Sequence, residues 1–146
     1  MVFAGHLVIV VGSMGRVVTK YYIPVIIWAI LIMIVSSIPY LGPSPIRFTY
    51  HDKFEHCLEY AILGFLLAYA FAKSRPGPVF LAVLIICSAY GIFDELHQLF
   101  VPGRNCDPFD ALADILGSAA GAGIYIWLKS RYARLSFNNT SSANAK

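Results

Sequence analysis

Asp52, Glu55, Glu59, Asp94, Glu95, Asp107, Asp110 and Asp114 are the eight acidic residues of this chain, and each lies in or beside an apolar segment. His51, His56, His97, Gln98 and Arg104 accompany them. Three chemistries fit such a set. Asp94, Asp110 and Asp114 could hold a hard divalent cation, Mg²⁺ or Ca²⁺, through oxygen ligands. His56 or His97 could act as a general base on a headgroup at a membrane surface, with Asp94 or Glu95 as the orienting acid. Arg104, in a Pro-Gly-Arg turn, could grip a phosphate or carboxylate bidentately, with Asp52, Tyr60 and Gln98 completing a binding set. The spacing Glu95-Leu96-His97 is not a zinc motif, and no nucleophile elbow, P-loop or dinucleotide fingerprint is present.

The elements that must position these groups are membrane helices. The chain has 146 residues, enough for one domain, and is 58% hydrophobic with only 13% charged. A soluble domain carries about 25% charged residues. A charge at the bilayer centre costs roughly 3 kcal/mol or more, so a chain this apolar keeps eight acids only if they converge on a shared polar site. Net charge is +3, but the charge is unevenly spread and gives no reason to expect a nucleic-acid partner. Three cysteines argue against a disulfide framework: Cys57 and Cys87 fall inside apolar helices, and Cys106 sits in a polar loop as a free thiol.

The patterning gives an all-α, four-helix integral membrane bundle with spans at about 21–38, 52–72, 79–100 and 109–128. Residues 1–20 form an N-terminal extension. Val2–Val11 is too short to cross a bilayer of ~30 Å and lacks the basic start of a signal peptide. Residues 1–13 therefore read as a mis-called start, with Met14-Gly15-Arg16 as the opening. Three prolines between Pro39 and Pro45 break the first connection, Lys73-Ser74-Arg75-Pro76-Gly77-Pro78 turns the second, and Arg104–Pro108 forms the third. Residues 130–146 read as a polar tail, disordered from Ser136.

Orientation follows from counting charges. Arg16, Lys20, Lys73, Arg75, Lys129, Arg131, Arg134 and Lys146 lie on one side with no acids, whereas Arg47, Lys53 and Arg104 share the other with all eight. The positive-inside rule then places both termini in the cytoplasm and the acidic end outside. The acceptor-like tripeptides at Asn138 and Asn139 fall on the cytoplasmic side.

On the second helix Asp52, Glu55, His56, Glu59, Tyr60 and Leu63 share one face, leaving Phe54, Leu58, Ile62 and Phe65 for lipid or neighbours. Asp94, Glu95, His97 and Gln98 end the third helix at the same depth. Asp107, Asp110, Asp114, Gly117 and Gly121 share a face of the fourth. Gly117, Gly121 and Gly123 read as close-packing residues. Lys53 and Arg104 cannot neutralise every acid, so the remainder must be protonated, solvated or bound to a cation.

Three blocks carry a family resemblance. Asp52-Lys53-Phe54-Glu55-His56 with Tyr60, Leu63 and Gly64 is the first. Asp94-Glu95-Leu96-His97-Gln98-Leu99-Phe100-Val101-Pro102-Gly103-Arg104 is the second, and Asp110 and Asp114 followed by Gly117 and Gly121 is the third. Together they resemble the VanZ-like family of small multipass membrane proteins. Glu59 is an extra acid, and Asn105-Cys106-Asp107-Pro108 replaces a Ser/Gly-rich turn. The resemblance implies a protein of the bacterial cytoplasmic membrane and, through a namesake linked to teicoplanin resistance, a place in envelope biology. It marks Asp52, His56, Asp94, Glu95, His97, Gln98, Arg104, Asp110 and Asp114 as the centre of the site and leaves Glu55, Glu59 and Asp107 peripheral.

Two functional readings stand. One is an enzyme or processing factor acting on a cell-envelope lipid or lipid-linked precursor, a divalent cation being the one cofactor the acids suggest. The other is a non-enzymatic lipid or glycopeptide-antibiotic binder or accessory subunit. A proton- or ion-coupled transporter is a weaker third, because acids confined to one half of four short helices offer no through-path unless the protein oligomerises. Membrane lipids are the expected partners, and the sequence sets no oligomeric state.

Overall fold

The computed structural model describes residues 18–39, 51–74 and 77–144, with side chains described over 19–39, 51–74 and 77–137. The expectation for residues 1–13 and most of the first connection lie outside them. A π-helical turn, Val18–Tyr22, leads into α1, Ile23–Ser36; then follow α2, His51–Ser74, α3, Val79–Gln98, and α4, Pro108–Asn144. All four are long and apolar enough to cross a membrane, α1 counted with the turn before it. Lipid offers backbone groups no partner, so helices that satisfy their own N–H and C=O groups are the form such segments must take.

Local chemistry sets the ends. Pro24 stands in the first turn of α1, where its missing N–H costs nothing. Asp107 precedes Pro108 and accepts the Phe109 N–H on Oδ1 at 2.9 Å, capping α4. Gly103, with φ of 80°, makes a left-handed turn in the connection between α3 and α4.

The closest packing is between α2 and α4, and it depends on glycines. A Cβ on Gly117 would run into the Cys57 carbonyl oxygen, one on Gly121 into that of Ala61, and one on Gly64 into that of Ser118. Gly123, expected to pack likewise, has nothing within 4 Å of where its Cβ would stand. It lies two residues past Gly121 and so off the stripe that meets α2. Next to this seam the buried core gathers Tyr60, Leu63, Leu67, Ala68, Val83, Cys87, Ala122 and Tyr125, together with Ile32 of α1. Polar clasps hold α1 in place: Trp28 Nε1 donates to the Glu59 carbonyl at 2.9 Å, and Tyr90 Oη to that of Ala29 at 2.6 Å. Ile26, Ile30, Leu81, Ile85, Leu116 and Ile124 point outward, more than half exposed, as lipid-facing residues do.

α4 departs from the expected boundaries. Residues from Ser136 onward, expected to be disordered, are helical to Asn144. No glycine or proline follows Gly123 until the chain ends, so nothing in the sequence stops the helix once the bundle has started it.

Candidate functional site

Four helix ends meet at one end of the bundle: the C-termini of α1 and α3 and the N-termini of α2 and α4. On α3 the buried residues are Val83, Cys87, Gly91, Asp94, Glu95 and Gln98, a stripe at helical spacing whose last turn is polar. On α2 the equivalent turn contributes His56 and Tyr60, and on α4 Asp110, Asp114 and Ser118. Asp94, Asp110 and Asp114 are 1%, 2% and 0% exposed, among the most buried side chains described.

The pairing runs across helices. His56 Nδ1 lies 3.0 Å from Asp114 Oδ1 and 4.0 Å from Glu95 Oε1. Lys53 Nζ donates to Asp110 Oδ1 at 2.9 Å and to Asp107 Oδ2 at 2.5 Å. The Asp107 N–H in turn donates to Glu95 Oε2 at 2.8 Å, tying the α4 cap to α3. The Lys53 ammonium, with help from the Phe109 N–H, holds the Asp107 carboxyl below its ordinary value of 3.8. Gly91 makes room for Asp114: a Cβ there would stand 2.7 Å from Oδ2.

Beside this network is a cavity of about 280 Å³. Its wall includes Val35 and Ser36 of α1, Asp52, Glu55, His56, Leu58 and Glu59 of α2, Asp94 of α3 and Arg104 of the third connection. Arg104 lies 4.0 Å from Asp52 Oδ1. Three of the wall atoms are buried with no hydrogen-bond partner: Ser36 Oγ, Asp94 Oδ1 and Arg104 Nε. Buried polar atoms are seldom left so, and here they border open space.

The structure brings His56, Glu95, Asp110, Asp114 and Lys53 into one network, and Asp52, His56, Asp94 and Arg104 onto one cavity wall. Tyr60 and Gln98 are buried next to them, each with an unpartnered polar atom, Oη and Nε2. His97 is not among them. Its Nε2 lies 2.9 Å from Ser37 Oγ, because residue 97 falls off the inward stripe that carries 94, 95 and 98. Glu55 and Glu59, expected at the periphery, line the cavity, and Asp107 is the α4 cap. Ser36 was missed; its signal was a Ser-Ser pair closing a charge-free apolar span at the depth of the acids. Among the described residues two groups have donor atoms within 4.8 Å of one another, Asp52/His56/Asp110 and His56/Glu95/Asp114; Asp110 and Asp114 each belong to one and Asp94 to neither.

A family model described as VanZ/LLP1 matches residues 21–129, from the start of the first span to the basic end of the last. No curated protein and no solved structure matches the chain. The matched segment takes in most of each of the four spans and every polar residue of the network and cavity, and by it the chain belongs to the VanZ-like family.

Proposed function

We propose that the chain acts on the polar headgroup of a cell-envelope lipid or lipid-linked precursor, at the outer leaflet of the bacterial cytoplasmic membrane. The observation that carries this reading is the cavity whose wall presents His56, Asp94 and Arg104 together, with Ser36 Oγ, Asp94 Oδ1 and Arg104 Nε lacking partners. Its volume of about 280 Å³ lies just below the usual range of ligand pockets, ~300–1,000 Å³, and so suits a headgroup whose acyl chains stay in the bilayer. Arg104 supplies a cation for a phosphate. Asp52, Glu55, Glu59 and Asp94 supply acceptors for amine or hydroxyl groups. Asp114 holds His56 by Nδ1, which leaves Nε2 as the ring nitrogen to exchange a proton with a bound headgroup.

A comparison of envelope lipids between deletion and wild-type cells tests this. One lipid or precursor species should accumulate on deletion. Wild-type protein should clear it, whereas His56→Gln, present in the membrane in equal amount, should not. An unchanged profile would remove the reading.

A second reading, a non-enzymatic headgroup or glycopeptide-antibiotic binder, draws on the position of His97. That imidazole faces Ser37, leaving His56 as the cavity's base. In that case His56→Gln would complement fully and Arg104→Ala would not.

A further inference from the structure

Behind the cavity wall, three buried side chains from three helices converge: His56 of α2, Glu95 of α3 and Asp114 of α4, at 4%, 3% and 0% exposure. Their donor atoms all lie within 4.8 Å of one another. Around a first-row divalent ion with bonds near 2.0–2.2 Å, neighbouring donors stand roughly 3.0–3.6 Å apart. The observed 3.0 Å and 4.0 Å from His56 Nδ1 to the two carboxylates need only a small contraction to match. We propose that His56, Glu95 and Asp114 bind a divalent transition metal of the Zn²⁺ or Mn²⁺ class.

An observation independent of the clustering points to a ligand. Glu95 Oε1 and Asp114 Oδ2 are buried without a hydrogen-bond partner, although each carboxylate's other oxygen is engaged. Glu95 Oε2 is fixed by the Asp107 N–H, which leaves Oε1 as the oxygen facing His56. Such outer-shell contacts orient ligands in metal sites. Gly91 supplies the space into which the second Asp114 oxygen projects.

Charge supports the same conclusion. Two carboxylates in a buried pocket cost several kcal/mol each unless compensated, and one divalent ion compensates both. Lys53 does not serve this pair, since it is engaged by Asp107 and Asp110. That also sets aside the overlapping group Asp52/His56/Asp110, whose Asp110 already has its cation. One imidazole nitrogen with two carboxylates favours zinc or manganese over calcium and magnesium, which take oxygen donors. Three protein ligands leave a further coordination position for water, as in catalytic rather than structural metal sites. The ion takes the Nδ1 lone pair beside Asp114 while the ring's one proton sits on Nε2, so His56 binds as a neutral imidazole.

The test uses full-length protein in lipid nanodiscs, carrying an affinity tag without histidine. After chelator treatment, added Zn²⁺ or Mn²⁺ should bind near one equivalent per chain and raise the melting temperature of the wild type, a measurement that needs no variant. Glu95→Gln and Asp114→Asn should each weaken binding by about tenfold or more, whereas His97→Ala should bind as wild type. Three results would overturn the proposal: stripped wild-type protein that takes no stoichiometric metal and shows no thermal shift, Glu95→Gln and Asp114→Asn variants that bind undiminished, or Mg²⁺ or Ca²⁺ binding as tightly as Zn²⁺ and Mn²⁺. Metal uptake is measured without any added headgroup ligand, so it stands or falls apart from the headgroup reading.

Discussion

Lys53 shows how much one side chain can hold in place here. Its ammonium bridges Asp107, which caps α4, and Asp110, which is 2% exposed. Lys53→Met would leave Asp110 buried without its cation. Since Lys53 itself is partly exposed, the cost should be about 1–3 kcal/mol, below that for a fully buried pair. The check is the thermal midpoint in nanodiscs, which should fall by several degrees, with Lys53→Arg recovering most of the loss. Asp107 adds a dependence on pH. Its folded-state pKa is depressed, so its stabilising contribution is complete above the ordinary carboxylate value of 3.8 and disappears as pH falls through the lower folded value. Replacing Asp107 by Asn should lower stability at neutral pH and shrink the drop that sets in as pH falls below the ordinary carboxylate value of 3.8. An unchanged acid limb in melts of the two proteins would show that the Lys53 contact contributes nothing.

At the level of elements, the α2–α4 seam is where small residues decide stability. Gly121→Ala would push a methyl into the Ala61 carbonyl, backbone that cannot swing aside. The helices must separate, at a cost of roughly 1–3 kcal/mol or more. Gly123→Ala meets nothing within 4 Å and should be neutral to slightly stabilising, because alanine is the better helix former. Equal losses of folded protein for the two variants, measured by size exclusion after extraction, would refute this account of the seam. The stripe of small residues was legible in the sequence, as were the four spans, because apolar length and helical phase are written along a single helix. What crosses between helices was not. Depth groups Asp94, Glu95, His97 and Gln98 at the end of one helix, but two positions of rotation carry His97 to Ser37 while the other three face inward. The same limit left Ser36 unnoticed and Glu55 and Glu59 at the periphery, since a cavity wall depends on where α1 leans. The links from Asp107 to Lys53 of α2 and Glu95 of α3 cross between helices and so were not legible either.

On the scale of the whole molecule, the structure separates two ends of opposite character. The acid network, the cavity and the short Leu99–Asp107 connection occupy one end; Lys73 and the basic run Lys129, Arg131 and Arg134 occupy the other. α4 has 37 residues, and at ~1.5 Å per residue it is far longer than the ~30 Å hydrocarbon core. Its last turns must therefore leave the bilayer, and they do so on the basic end, where each Lys or Arg near an anionic leaflet gains ~1 kcal/mol. Electrostatics thus favours the basic end inside and the cavity outside, which is what a site for envelope headgroups requires. Cysteine placement makes the orientation measurable with few changes. Cys106 is exposed on the acidic-end connection, whereas Cys57 is half-buried within the α2 span and Cys87 is buried. A membrane-impermeant maleimide applied to intact cells should label the wild type at Cys106, and Cys106→Ser should abolish that labelling. In the Cys106→Ser background, Ser130→Cys on the basic side should react only after the cells are permeabilised. Labelling in the reverse order would put the cavity on the cytoplasmic face and overturn the outer-leaflet reading, while leaving the metal site, which depends only on how α2, α3 and α4 pack, unaffected.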